Sequence, residues 1–224
     1  MKILHIDSSS KIHNKSNSRA LGRYFLQQLE RYGVEFEIDY LDVTEDVQPH
    51  VSAEFVQATY TPEAERTERM REVLAPSDAM CQRVMDADVL VCAMPMYNWT
   101  IPSTFKTFID AITRTNVTYD LLPDGTTVGK LGDKKVLFIT TRGADLRQGS
   151  PYSHMDAMTP VLKAAFAFIG VEAPEFVDAQ PLQFTAAEAR EAALVRAHND
   201  LDQLASQWAT NLQKTACSQS EMAV

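Results

Sequence analysis

The 224-residue chain is long enough for a single domain with a sizeable hydrophobic core. Its formal net charge of −9 disfavours a general affinity for nucleic acid or anionic membranes, because such binding needs basic surfaces. The sequence shows neither a run of about 18 apolar residues nor a signal-peptide pattern, so we expect a cytoplasmic protein without a membrane span.

The first half of the chain alternates apolar segments with amphipathic ones. Residues 2–7 predict a first strand that ends in serines, and an amphipathic helix follows it. Residues 35–41 alternate apolar and charged side chains, which is typical of a strand near the edge of a sheet. Residues 42–87 predict two helical stretches separated by Pro76, preceded by an irregular excursion over about 46–66.

The second half repeats this alternation. Residues 88–94 are apolar throughout, as expected for a central strand of a parallel sheet. After a further helix, the turn residues of 116–131 indicate a hairpin-like excursion, and 135–140 predicts a fourth strand. A fifth strand is predicted at 174–178, and a capping-box pattern at 185–188 opens the last helix.

Strands that alternate with helices five times predict an α/β fold, with a parallel sheet covered by helices on both faces. With the strand order 2-1-3-4-5, ligands bind where the order reverses, between strands one and three. We expect one domain over residues 1–212 and a frayed polar tail over 213–224. Cys81, Cys92 and Cys217 form no C-x-x-C pair and are expected to be reduced, and no His/Cys/carboxylate spacing indicates a metal site.

The loop after the first strand carries hydroxyl groups next to a predicted helix start. A helix N-terminus offers free N–H groups and a positive dipole end, which suits a phosphate. The sequence has no Walker lysine and no G-x-G-x-x-G pattern, so nucleoside triphosphate and Rossmann-type dinucleotide sites are not indicated. Helix capping alone would also explain these residues. The candidates are Ser8, Ser9, Ser10, Ser16, Asn17 and Ser18.

The loops after the third and fourth strands complete the same edge of the sheet. Met96, Tyr97, Asn98 and Trp99 place aromatic rings and an amide where a buried strand ends, although a simple turn needs only small polar residues. Thr141-Arg142-Gly143-Ala144 combines a hydroxyl, a cation and a glycine that permits close backbone approach. Each loop alone also fits an ordinary core or turn. Together they suit a flat ring with a polar edge and a phosphate tail, as in flavin mononucleotide (FMN).

Several motifs follow one another along the chain in a distinctive order. They are Asp7-Ser8-Ser9-Ser10, Ser16-Asn17-Ser18, Pro95-Met96-Tyr97-Asn98-Trp99, the helix with Lys106 and Asp110, Val117-Thr118-Tyr119, Thr141-Arg142-Gly143 and Phe166-Ala167-Phe168-Ile169-Gly170. This order resembles the FMN-dependent NADH-azoreductases, also described as FMN-dependent NADH:quinone oxidoreductases, of the flavodoxin-like superfamily. The resemblance covers nearly the whole chain to about Ala209. It implies a flavodoxin-like three-layer sandwich and a homodimer with FMN near the subunit interface.

The resemblance also implies three groups of site residues. The serines of the first loop and Asn17 would bind the phosphate of FMN. The residues from Met96 to Trp99 and from Thr141 to Ala144 would bind the isoalloxazine and ribityl portions. Tyr119 and Phe166 would help to wall the substrate pocket of the neighbouring subunit.

The chain departs from the family pattern in three places. Three serines stand in a row where the family usually shows two, so the choice between Ser9 and Ser10 for the phosphate is open. Trp99 replaces a common phenylalanine, and Ala144 replaces a second glycine. Both replacements change the pocket that the resemblance implies, which leaves the preferred acceptor open.

The implied activity is that of an oxidoreductase. NADH would pass a hydride to bound FMN, and a quinone or azo compound would then take two electrons in a ping-pong mechanism, with Asn98 and Tyr97 only positioning the ring. A flavodoxin-type electron carrier and a non-enzymatic flavin- or partner-binding module on the same fold remain open. A serine hydrolase is disfavoured because the sequence has no G-x-S-x-G motif.

Overall fold

A computed structural model describes the backbone of residues 1–221 and the side chains of residues 1–212. The strands in this part of the chain are β1 (Lys2–Asp7), β2 (Glu37–Asp42), β3 (Val89–Pro95), β4 (Tyr119–Leu121), β5 (Thr127–Gly129), β6 (Lys135–Thr141) and β7 (Glu175–Ala179). Five of them form a parallel sheet in the order β2-β1-β3-β6-β7, and β4 pairs with β5 as an antiparallel hairpin. The predicted order 2-1-3-4-5 is therefore confirmed once the two hairpin strands are left out.

Helices cover both faces of the sheet, as predicted. They are α1 (Asn17–Arg31), α2 (Ala53–Tyr60), α3 (Glu68–Asp86), α4 (Ser103–Ile112), α5 (Met158–Phe168) and α6 (Ala187–Glu221). One core, which includes Phe25 of α1 and Trp208 of α6, lies on one face of the sheet. The other core, which includes Phe108 of α4 and Phe166 of α5, lies on the opposite face. Because β3 is buried between these two cores, its side chains are apolar almost without exception.

The segment between β2 and β3 differs from the prediction in two ways. Helix α3 runs unbroken through Pro76, where the sequence predicts two separate stretches. A proline removes one backbone hydrogen bond from a helix, and the burial of Leu74 and Val84 in the core compensates for that loss. The excursion predicted over 46–66 contains α2, whose first turn is capped by Ser52.

The last helix also differs in its limits. It begins at Ala187, slightly later than the capping box at 185–188 predicts, and its backbone continues beyond Leu212 to Glu221. Residues 222–224 lie outside the described part of the chain, so the predicted frayed tail and domain limit stay predictions. Among the described residues, no helix combines the length and the apolar character needed to cross a lipid bilayer.

Two of the three cysteines can be placed. Cys81 and Cys92 are buried and free, as predicted, whereas the side chain of Cys217 lies outside the described residues. Burial raises the pKa of both thiols, to about 11 for Cys81. Both are therefore protonated and unreactive at neutral pH.

The hairpin β4–β5 confirms the excursion predicted over 116–131, and it is fixed to the end of α5. The backbone of Gly129 lies so close to Gly170 that a Cβ atom added at Gly129 would stand 2.0 Å from the nitrogen of Gly170. The N–H of Leu131 also donates to the carbonyl of Ile169 at 2.9 Å. The hairpin therefore moves with the helix and not as a free loop.

The five parallel strands bring the loops that follow them to one edge of the sheet. Two hydrogen bonds continue the strand pairing into these loops. The N–H of Ser8 donates to Ala93 at 3.1 Å, and the N–H of Met96 donates to Thr141 at 2.8 Å. The loops after β1, β3 and β6 are thus held side by side, as the strand order predicts.

Candidate functional site

The loop after β3 begins with a tight two-residue turn. The N–H of Tyr97 donates to the carbonyl of Thr100 at 3.0 Å, and the N–H of Thr100 donates to the carbonyl of Tyr97 at 3.1 Å. Between them, Asn98 and Trp99 both have positive φ angles, of 46° and 72°. This is the geometry of a type I′ turn, which asparagine tolerates and tryptophan does not favour. Backbone strain of this kind clusters at functional sites, and here it holds the indole of Trp99 at the rim of a cavity.

That cavity has a volume of about 920 Å³ and opens at the carboxyl edge of the sheet. Its size suits a ligand with several rings. Gly143 lies in its wall, and the space beside its Cα is filled by the side chain of Gln183. The lining includes the predicted residues Met96, Tyr97, Asn98, Trp99, Gly143 and Ala144, together with Lys106, Asp110, Gln183 and Phe184.

A second cavity of about 180 Å³ lies beside the first. It is more polar, and it reaches the N-terminus of α1. The two cavities share Met96, Tyr97, Gly143 and Gln183 in their walls, so they lie directly side by side. The predicted residues that line the second cavity are Ser9, Ser16, Asn17, Met96, Tyr97, Thr141, Arg142 and Gly143.

Three of the predicted serines, Ser8, Ser10 and Ser18, do not line either cavity. Ser8 is fully buried, and its hydroxyl lies 3.2 Å from the hydroxyl of Thr104. Ser10 is exposed, and its N–H donates to the hydroxyl of Tyr97 at 3.2 Å. Ser18 is buried, and its hydroxyl lies 3.2 Å from the hydroxyl of Ser16. Ser16 also caps α1 by accepting a hydrogen bond from the N–H of Arg19 at 3.4 Å. Of the choice left open between Ser9 and Ser10, only Ser9 faces the polar cavity.

Arg142 lines the polar cavity, but its charge is already paired with two carboxylates. Its guanidinium lies 2.8 Å from Asp156 and 3.1 Å from Asp178, and the side chain is 2% exposed. Burial acts to raise the pKa of Asp156, but hydrogen bonds from Thr159 and Arg142 outweigh it and hold the pKa below its usual range. The guanidinium therefore braces the loop and does not offer a charge to a ligand in the cavity.

The role that the resemblance implies for Phe166 does not fit its position. Phe166 is fully buried and packs against Phe138, with 4.9 Å between ring centroids. Phe168, by contrast, is 41% exposed and contacts Tyr119 at a centroid distance of 4.7 Å. Neither Tyr119 nor Phe166 lines the two cavities. The aromatic surface at this end of α5 is formed by Phe168 and Tyr119.

A buried ionic network that no sequence motif predicted lies beneath the first loop. Arg19 is 1% exposed, and its Nη1 lies 2.6 Å from Asp42 and 3.2 Å from Asp7. Its Nη2 donates to the carbonyl of Ser9 at 2.7 Å, and Tyr40 donates to Asp7 at 2.9 Å. The network thus holds the backbone of a cavity residue. The available signal was the position of this arginine on the apolar side of α1.

One cluster in this region has the residue types of a metal site. The Nε2 atom of His13 lies 3.2 Å from Glu45 and 3.8 Å from Asp42. The same oxygen of Asp42 is 2.6 Å from the guanidinium of Arg19. Because the arginine already neutralises this carboxylate, we assign no metal to the cluster.

Two cations at the polar cavity were also missed. Lys11 and Arg190 line it beside Ser9, Ser16 and Asn17. In the part of the chain that the structure describes, neither cation forms an ion pair with a carboxylate. Lys11 directly follows the predicted Ser10, so the first loop itself carried a signal for it. Arg190 has no such signal, because it comes from α6 and reaches the first loop only in the folded chain.

Comparison with known proteins supports the family resemblance that the sequence motifs indicate. A family model described as a flavodoxin-like fold matches residues 1–205. An FMN-dependent NADH:quinone oxidoreductase of Nostoc punctiforme is 35% identical over 208 residues, covering 93% of this chain and 100% of the relative. A protein of the same description from Trichormus variabilis is 33% identical over 208 residues, covering 93% of this chain and 97% of the relative.

Solved structures agree on the fold. An azoreductase from Bacillus anthracis is 22% identical with a TM-score of 0.83, covering 92% of this chain and 99% of that one. An FMN-dependent NADH-azoreductase from the same species, in complex with FMN, is 24% identical with a TM-score of 0.81. The match covers 93% of this chain and 99% of that one. The chain therefore belongs to the FMN-dependent NADH:quinone oxidoreductase family of the flavodoxin-like fold, and the resemblance found in the sequence is confirmed.

Proposed function

We propose that the protein is an FMN-dependent oxidoreductase that passes two electrons from NADH, through bound flavin, to quinones and azo compounds in a ping-pong mechanism. The observation that carries this proposal is the adjoining pair of cavities at the carboxyl edge of the sheet. One is polar and cationic, and the other is large and partly aromatic. A nucleotide with a flat ring at one end and a phosphate at the other matches that division.

The residues of the polar cavity fit a phosphate. Ser9 and Ser16 supply hydroxyl groups, and Asn17 begins α1, whose free N–H groups and dipole favour an anion. Lys11 and Arg190 add positive charge that no described carboxylate neutralises. In a chain of net charge −9, unpaired cations gathered at one cavity favour an anionic ligand there.

The larger cavity fits the flavin ring and a second flat molecule. When bound, FMN supplies the hydride and electron chemistry, and the protein supplies position and electrostatics. Tyr97 is held by the N–H of Ser10, which links the first loop to the turn after β3. Asn98 lies at the tip of that turn and lines the cavity, where its amide can donate to a polar ring edge. Both residues act by positioning.

We also propose a homodimer. The rings of Tyr119 and Phe168 form a partly exposed aromatic pair on the hairpin and the end of α5. In this proposal the pair faces the large cavity of the neighbouring subunit, and Phe168 takes the role that the sequence analysis gave to Phe166. Light scattering should then give twice the chain mass of 25.0 kDa.

The visible spectrum tests the proposed function directly. The purified protein, loaded with FMN if necessary, should be yellow, lose its colour when NADH is added without oxygen, and regain it with an equal amount of quinone. Slow bleaching, with persistent absorption from flavin that has been reduced by only one electron, would favour the electron-carrier alternative. A protein that takes up no FMN would contradict the proposal and favour the binding-module alternative.

The two unpaired cations give a second test. Replacing Lys11 and Arg190 together with glutamine should weaken FMN binding about 30-fold, because each charged contact to the phosphate contributes about 1 kcal/mol at a partly exposed site. Affinity for riboflavin, which has no phosphate, should stay unchanged. Fluorescence titration measures both. Lys15→Gln, at an exposed lysine outside the cavities, is the matched control. An equal loss of affinity for FMN and for riboflavin would show that the two cations do not bind the phosphate.

A further inference from the structure

One aromatic side chain at the large cavity has no role in the function proposed above. Phe184 is 95% exposed, and no other large hydrophobic residue in the described part of the chain is as exposed. Its φ angle of 53° lies in the left-handed region, which a bulky residue rarely adopts. An exposed phenyl ring buries no apolar surface, and a left-handed backbone costs free energy. The stability of the fold therefore does not explain why phenylalanine stands at position 184.

The chain before Phe184 is firmly held. The N–H of Leu182 donates to the carbonyl of Arg142, and the N–H of Gln183 donates to that of Gly143, both at 2.9 Å. Gln183 also packs on Gly143, where an added Cβ atom would stand 3.2 Å from its Oε1. The loop after β7 is therefore anchored on the loop after β6 up to the residue before Phe184. This anchoring places the phenyl ring at a fixed part of the cavity rim.

The strand order explains what this ring faces. Because β6 lies between β3 and β7, the loop after β6 is flanked by the other two loops. Gly143 and Ala144, from the middle loop, are small. Trp99, from the loop after β3, and Phe184, from the loop after β7, are large and aromatic, and all four residues line the same cavity. The cavity thus has small residues in the middle and an aromatic ring on each flank.

We propose that Phe184 is a specificity-determining residue that selects flat acceptors with more than one ring. Its ring contacts the part of the acceptor that extends beyond the flavin, and Trp99 bounds the other side. A fused-ring quinone or a diaryl azo compound reaches Phe184, whereas a single-ring quinone is too short to contact both flanks. This inference rests on the proposed function, since it concerns the acceptor bound at the same site.

The experiment uses the FMN-loaded protein with Phe184→Ala and Phe184→Gly variants. The KM for a fused two-ring quinone should rise about three- to tenfold, as expected for the loss of one aromatic contact. The KM for a one-ring quinone should change less than twofold. Phe184→Tyr should keep the wild-type KM. Tyr60→Ala, at an exposed tyrosine outside the cavity, is the matched control.

The two small variants separate the ring from the backbone. Equal effects of alanine and glycine support a contact made by the ring, because only glycine relieves the left-handed strain. An unchanged KM for both quinones, an equal rise for both, or a change in oligomeric state by light scattering would overturn the proposal. A wild-type protein that is not reduced by NADH would instead overturn the proposed function, so the two failures are distinguishable.

Discussion

Replacing Arg19 with methionine is expected to lower the free energy of unfolding by about 3–5 kcal/mol, the usual cost of removing one partner from a buried ion pair. The substitution leaves Asp7 and Asp42 buried without their shared cation, since Arg19 contacts both and is 1% exposed. FMN binding should weaken as well, because the carbonyl of Ser9 loses its 2.7 Å donor. Urea unfolding and flavin titration measure the two effects.

A matched substitution lies on the same helix. Arg23 is exposed, so Arg23→Met should change the stability by less than about 0.5 kcal/mol. The double variant Arg19→Met/Asp42→Asn should recover part of the loss, because it removes one unpaired carboxylate. A cost below about 1 kcal/mol for Arg19→Met would contradict the interpretation that this arginine holds the two carboxylates.

The same network has a defined pH dependence. Burial acts to raise the pKa of Asp42, but hydrogen bonds from Arg19 and Thr44 outweigh it and keep the pKa below its usual range. A carboxyl group with a lowered pKa in the folded state stabilises the fold fully above about pH 4, and this stabilisation is lost as the pH falls through the folded value. The stability difference between wild type and Arg19→Met should therefore be largest near pH 7 and shrink in acid.

Adding one methyl group at Gly129 is expected to cost about 3 kcal/mol or more, at the upper end of overpacking effects. The new Cβ atom would stand 2.0 Å from the nitrogen of Gly170 and 2.1 Å from the carbonyl carbon of Ile169. Both are backbone atoms, so the hairpin and the end of α5 must move apart. Thermal unfolding of Gly129→Ala measures the cost.

Gly132→Ala is the control for this prediction. Its added Cβ atom meets only the carbonyl oxygen of Gly170, at 3.3 Å, which a small adjustment relieves. The control should lose much less stability than Gly129→Ala. Similar stabilities for the two variants would show that the hairpin is not fixed to α5. If the homodimer forms as proposed, Gly129→Ala should also weaken it, since the hairpin carries Tyr119.

Much of the architecture was predictable because its signals are local. Apolar runs at residues 2–7, 88–94 and 135–140 correspond to β1, β3 and β6. Alternation of strands and helices then implies a parallel sheet, and a parallel sheet brings its loops to one edge. The helix through Pro76 was not predictable in the same way, because its stability comes from packing on the sheet and not from its own sequence.

The two phenylalanines of α5 show where local patterns stop being sufficient. Phe166 and Phe168 are two residues apart, which on a helix turns their side chains by about 200° to opposite sides. Met158, Leu162, Phe166 and Ile169 recur at helical spacing, so the sequence pattern places Phe166 on the apolar side of the helix. The pattern does not give the partner of that ring, which is Phe138 of β6, a residue distant along the chain.

What the sequence by itself determined is the family, the order of the elements and the loops that carry the site. Tertiary structure alone decided which atoms of those loops meet. It paired the charge of Arg142 with Asp156 and Asp178 and placed Arg19 beneath Ser9. It also brought Arg190 to the polar cavity from the start of α6, and Phe184 to the large cavity from the loop after β7. The reason is that periodicity specifies which face of an element is buried, whereas side-chain partners distant in sequence are selected only when the elements pack.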